Sequence, residues 1–191
     1  MVARDSSDFR RMIAIDAGSN QGISVGDVVI AAGGALAGRV VQVGPDAANV
    51  VLINDTTSTV VGQIGTSAAT GEVDGQLGGV LVMQNIDSTE KILIGDEVLT
   101  AGIELASGVR SPYPKGLVIG TIADVRRDAN AVVQTAYVLP SANLDKLEYV
   151  LVITNYDGGL APLVGASPSP GASTLPLPSM SGTLPPPSSA P

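Results

Sequence analysis

Apolar residues along this chain come in short runs, many alternating with polar ones, and Gly, Asp, Ser or Pro interrupts them. Such runs read as β-strands separated by tight turns. The pattern predicts strands at 12–16 and near 27–31, 36–43, 49–53 and 59–64. A second series is predicted near 78–83, 97–101, 117–125, 131–138 and 148–153. Along 36–43, period-two alternation places Leu36, Gly38, Val40 and Gln42 on one side. Ala37, Arg39, Val41 and Val43 take the other. The unbroken apolar run 149–153 predicts a strand covered on both faces. Residues 17–22 read as a turn, 71–76 as a short hairpin edge and 143–147 as a helical turn.

The runs also echo one another. Gly26-Asp27-Val28-Val29-Ile30-Ala31-Ala32-Gly33 returns 69 residues later as Gly95-Asp96-Glu97-Val98-Leu99-Thr100-Ala101-Gly102. The run 36–43 returns 82 positions later as 118–125, with Gly38 matched by Gly120, and 129–133 stands at the same spacing from 47–51. The later copy therefore carries a longer loop inside it. One small β module made twice is the direct reading. A Gly at the same place in both strands predicts a bend or a close backbone approach, as small barrels need at their corners.

The expected fold is all-β, with two tandem small barrels. Residues 1–11 would be a lead-in, 12–66 the first barrel, 67–77 a connecting loop and 78–157 the second barrel. The tail, 158–191, holds nine of the 13 Pro residues and no charge, which predicts a disordered segment of polyproline II tendency. Apolar residues make up 45% of the chain but aromatics only 3%, so Val, Ile, Leu and Ala must fill the core.

The chain has no His and no Cys, which removes Ser-His-Asp and Cys-His catalysis, thiol redox chemistry and the usual zinc ligands. The acids are scattered. Asp27 and Asp96 each follow a Gly at a strand entrance and read as turn residues bonding nearby amides. No phosphate-binding glycine loop or EF-hand spacing is present. No catalytic residue, cofactor or metal site is therefore expected. A net charge of −8, with Arg10-Arg11 and Arg126-Arg127 as the only basic doublets, speaks against nucleic acid. No apolar run approaches the ~18 residues of a membrane helix, and the N-terminus lacks a signal-peptide core.

An ordered series of segments resembles the extracytoplasmic region of the bacterial rod shape-determining MreC family. It comprises 15–23, Gly26-Asp27-Val28-Val29, 36–44, 95–102, Tyr113-Pro114-Lys115-Gly116 with 117–120, and Pro140 followed by 147–152. Family members commonly show Thr-Ser-Gly and Phe-Pro-Lys-Gly where this chain has Thr100-Ala101-Gly102 and Tyr113-Pro114-Lys115-Gly116. The resemblance implies two small β-barrels outside the membrane and a non-enzymatic scaffold of the cell-elongation machinery. Implied partners are MreD, RodZ, the MreB filament system, the elongation penicillin-binding protein and a second copy of the chain. It also implies a place at the extracytoplasmic face of the membrane during peptidoglycan synthesis. Arg39, Tyr113, Pro114, Lys115 and Gly116 are the candidate contact positions, each with a competing structural role in a strand or turn. The other classes to weigh are a biotinyl- or lipoyl-like carrier and an efflux-adaptor barrel. A carrier needs a Lys at a hairpin tip, and Lys91 lacks the expected neighbours. A chymotrypsin-like barrel hydrolase would lack its usual base.

Overall fold

Strands arise where β-branched and aliphatic residues alternate, and the described residues of the computed structural model (2–4, 10–103, 111–127 and 132–156) form twelve of them. They are β1 (Val2–Arg4), β2 (Met12–Ile15), β3 (Val28–Ala31), β4 (Leu36–Val43), β5 (Ala48–Leu52) and β6 (Thr59–Ile64). Next come β7 (Thr70–Gly75), β8 (Leu81–Asp87), β9 (Glu97–Thr100), β10 (Val118–Arg126), β11 (Val133–Pro140) and β12 (Val150–Ile153). One 3-10 turn, Ser19–Gln21, follows β2; no α-helix occurs among the described residues.

The strands make two antiparallel sheets. One is open, in the order β1-β2-β5-β4-β3-β12; the other closes into a six-stranded barrel, β10-β11-β8-β7-β6-β9. Only one of the two expected barrels is thus closed. Membership of the sheets also departs from the segments 12–66 and 78–157. Strand β6 joins the barrel, and β12 crosses back to pair with β3. The expected lead-in 1–11 contributes β1, and the expected connecting loop 67–77 contains β7, the hairpin edge foreseen at 71–76. Pairing between distant strands decides these boundaries, and local pattern does not report it. The tail, 158–191, lies outside the described residues.

The echo is built into the backbone. Gly26 and Gly95 both have left-handed φ, +101° and +96°, in the turns that open β3 and β9. The Asp27 carboxylate accepts the Ser24 N–H at 2.8 Å, and Asp96 accepts the Leu93 N–H at 2.9 Å. Beyond the turn, Gly26 N–H donates to the Val40 carbonyl and Gly95 N–H to that of Ile122. Bulges fall at matching places too, between Val40 and Gln42 on β4 and between Ile122 and Asp124 on β10. These bulges shift the side-chain phase, so strict alternation along 36–43 fails past Val41.

Gly38 and Gly120 show why the strand glycine recurs. A Cβ at Gly38 would overlap the Val51 carbonyl oxygen, and one at Gly120 that of Leu139. The third match is different. Gly38 pairs with Leu52, whereas Gly120 pairs with Pro140, so the return strand comes later in the barrel copy and 129–133 is not the counterpart of 47–51.

Aliphatic side chains fill the interior as composition requires: Val29, Leu36, Val50 and Leu52 in the sheet, and Ile64, Met83, Val98 and Ile119 in the barrel, all 1% exposed or less. Strand β12 departs from its expected cover on both faces. It sits at a sheet edge, with Leu151 65% exposed. Residues 143–147 form turns without a helix.

Candidate contact site between the sheets

A cleft of about 360 Å³ opens where the two sheets meet. Arg39 and Val41 on β4 and Val51 on β5 supply one wall. Thr57 and Ser58 from the chain entering the barrel, Thr59 at the start of β6, and Pro112 and Tyr113 supply the other. Arg39 and Tyr113, separate candidates in the sequence, are brought into one site. Val41 lies on the same side of β4 as Arg39, as alternation places it, and is the extra residue of the bulge between Val40 and Gln42.

Tyr113 is 4% exposed. Burial pushes its phenol above the usual value, against the pull of the Arg39 charge and a hydrogen bond with the Ser58 side chain. The phenol is therefore a neutral hydroxyl at physiological pH. Arg39 is half-buried, and no carboxylate pairs with its guanidinium among the described residues.

Asp55 fixes the wall that Thr57 belongs to. Its side chain is 1% exposed and accepts the Arg11 N–H at 2.6 Å, the Thr57 N–H at 2.9 Å and the Thr57 hydroxyl at 2.5 Å. Burial would raise its pKa, but these bonds and the nearby Arg10 charge outweigh that and hold it below the ordinary carboxylate value. The carboxylate thereby ties the residue that precedes β2 of the open sheet to the chain entering the barrel.

Pro114, Lys115 and Gly116 serve a different purpose. The Thr100 hydroxyl donates to the Pro114 carbonyl at 2.5 Å and accepts the Leu117 N–H at 2.9 Å, while Gly116 N–H donates to the Thr100 carbonyl. A Cβ on Gly102 would overlap Lys115, and Gly116 has φ +89°. These three residues form a turn stitched to β9, with Lys115 exposed, and none of them lines the cleft. From the far end of the described chain, the Tyr156 hydroxyl donates to the Ser111 carbonyl at 2.9 Å and holds the backbone that delivers Tyr113.

Sequence reading did not single out Thr57, Ser58, Thr59, Pro112 or Tyr156. The run Thr56-Thr57-Ser58-Thr59 before β6 was the available signal, since hydroxyl residues at a strand entrance bind backbone and each other. Lys91 is exposed in the connection from β8 to β9, two strands that are not neighbours in the barrel. It is not at a hairpin tip. No group of three metal-ligating side chains occurs among the described residues, and no helix there is long and apolar enough to cross a membrane.

Residues 1–154 match the family model described as rod shape-determining protein MreC, barrel core. The cell shape-determining protein MreC of Listeria monocytogenes is 27% identical over 165 residues, covering 80% of this chain and 51% of that protein. The chain spans about half the length of that curated relative. The crystal structure of MreC from Pseudomonas aeruginosa superposes with a TM-score of 0.66 at 29% identity, covering 80% of this chain and 97% of that one. MreC in a complex with penicillin-binding protein 2 from Helicobacter pylori shares the fold, with a TM-score of 0.56 at 17% identity over 74% of this chain and 85% of that one. An ordered set of six sequence segments, a duplicated β module and a family match over most of the length agree: the chain belongs to the MreC family of rod shape-determining proteins.

Proposed function

We propose that this chain is a non-catalytic scaffold of the bacterial cell-elongation machinery, maintaining rod shape through protein contacts during peptidoglycan synthesis. The observation that carries this reading is family membership over residues 1–154, the stretch that holds both sheets. The cleft chemistry agrees with it. Its polar residues are one Arg and four hydroxyls, and the carboxylates that reach two of those hydroxyls, Asp55 at Thr57 and Asp74 at Thr59, are held in hydrogen bonds within the fold.

The work takes place at the extracytoplasmic face of the membrane. An elongation penicillin-binding protein is the partner with most support, because the Helicobacter pylori relative is solved in complex with PBP2. MreD, RodZ, the MreB system and a second copy of the chain complete the proposed set. Arg39 and Tyr113 form a contact pocket, and the exposed Lys115 turn stands apart as a second contact point.

The test uses a rod-shaped bacterium whose own family member is replaced by a membrane-anchored form carrying this chain. Rod shape and cross-linked recovery of an elongation penicillin-binding protein are expected. Round cells at normal protein level, with no elongation component recovered, would overturn the proposal.

A further inference from the structure

We propose that the cleft between the sheets is a receptor for a carboxylate carried on a peptide segment of a protein partner, with Arg39 as its anchor. This rests on the scaffold reading and names the chemistry of the contact.

Arg39 is a permanent cation held at the junction on β4, half out of water, with no acidic side chain opposite it among the described residues. A guanidinium in that position has lost part of its hydration without gaining an ion pair, so an incoming carboxylate finds its partner unoccupied. The hydroxyls sort by availability. Thr57 spends its proton on Asp55, and Thr59 donates to Asp74 at 2.7 Å. Ser58 and Tyr113 lie together in the lining, and neither hydroxyl donates to a carboxylate among the described residues. The neutral Tyr113 phenol is thus a donor beside a fixed positive charge. Val41, Val51 and Pro112 add apolar surface around these polar groups, a combination that suits a side chain with a methylene stem and a charged end.

Cleft size favours a side chain or chain end over a larger body, since about 360 Å³ lies at the small end of ligand pockets. Charge complementarity favours the acid. The chain carries net charge −8, so an unpaired cation in a formed pocket is a local exception on an acidic molecule. Within the duplication, the barrel position matching Arg39 is Thr121, and the tight turn that follows β3 has no equivalent of Tyr113. Among the described residues, the Arg39 and Tyr113 pair thus has no counterpart at the matching positions of the other copy.

The test is amide-resolved NMR of the isotope-labelled chain titrated with acetyl-Ala-Glu-Ala-amide. Saturable shifts are expected at Val41, Ser58 and Thr59, with the Gln counterpart peptide weaker by about tenfold. R39Q should abolish the shifts and R39K should weaken them, because Lys cannot offer the paired donors. Y113F should weaken binding while amides elsewhere keep their positions, which separates loss of the hydroxyl from loss of fold. Equal response to the Gln peptide, undiminished binding by R39Q, or no saturable shift up to about 50 mM would overturn the proposal. Acetate binding as tightly as the peptide would also overturn it, since the site would then serve a free anion. A chain that binds the Glu peptide but fails to support rod shape would sink the scaffold reading alone. Rod shape without peptide shifts would sink the pocket alone.

Discussion

The open sheet and the closed barrel place six strands in corresponding order, and that order breaks at a single seam. In the barrel, β6 and β7 are joined by a short hairpin and pair along five positions, from Thr59 with Asp74 to Gln63 with Thr70. Their counterparts in the sheet are β12 and β1, which lie at opposite ends of the described chain and do not pair. Closing a local hairpin costs far less chain entropy than joining distant strands. The second difference is the connection between the first two strands of the core. In the sheet, β3 and β4 are linked by the tight turn through Gly33 and Gly34. In the barrel, the longer stretch from β9 to β10 brings Pro112 and Tyr113 against Arg39 of the other copy. Duplication supplies the bodies; divergence in one loop and one strand residue supplies the cleft.

The equivalence of the copies breaks most visibly at their buried strand glycines. Both glycines face a carbonyl oxygen across the ladder, but a closed barrel cannot splay to make room. G120A should cost about 3 kcal/mol and G38A about 2, read by urea unfolding. A larger cost at Gly38 would mean that the sheet is the more tightly constrained of the two.

Next in size is the tie between them. D55N should cost about 2 kcal/mol, because two backbone N–H groups and the Thr57 hydroxyl lose an ionised acceptor in a buried place. Asp55 sits below its unfolded pKa when folded, so its contribution is fully present above about pH 4 and is lost as pH falls through the folded value. The difference between wild type and D55N should therefore shrink on acidification below pH ~4. A difference independent of pH would show that the charge is not what matters there.

The smallest effects sharpen the comparison. D27A and D96A each remove one carboxylate that accepts a local N–H, and each should cost about 1 kcal/mol. Thermal unfolding that separates the two by more than about 1 kcal/mol would break the equivalence of the two turns.

Much of this was legible from local chemistry. The Gly-Asp turns, the strand glycines and the extents of β4 and β6 follow from φ, alternation and close approach, all of which act over a few residues. Closure was not legible, because a strand carries no mark of which edge it will meet. The run that forms β12 looks like a central strand, yet its neighbour on one side is absent among the described strands. The site was half legible. Arg39 and Tyr113 stand out in their segments, but the hydroxyls of 57–59 become relevant only once the fold sets that stretch across the cleft from β4 and β5. Pro114, Lys115 and Gly116 stand out for the same reason as Tyr113, and the structure puts them in a turn bonded to Thr100 instead.

The central claim is that the divergence between the copies, not the shared module, carries the function. Cell shape tests it most directly, in a rod-shaped bacterium whose family member is replaced by anchored forms carrying R39Q or T121V, the matching position in the barrel. R39Q should round the cells and T121V should leave them rod-shaped, with both proteins folded and present at wild-type level. Rods with R39Q, or rounding with both, would contradict it.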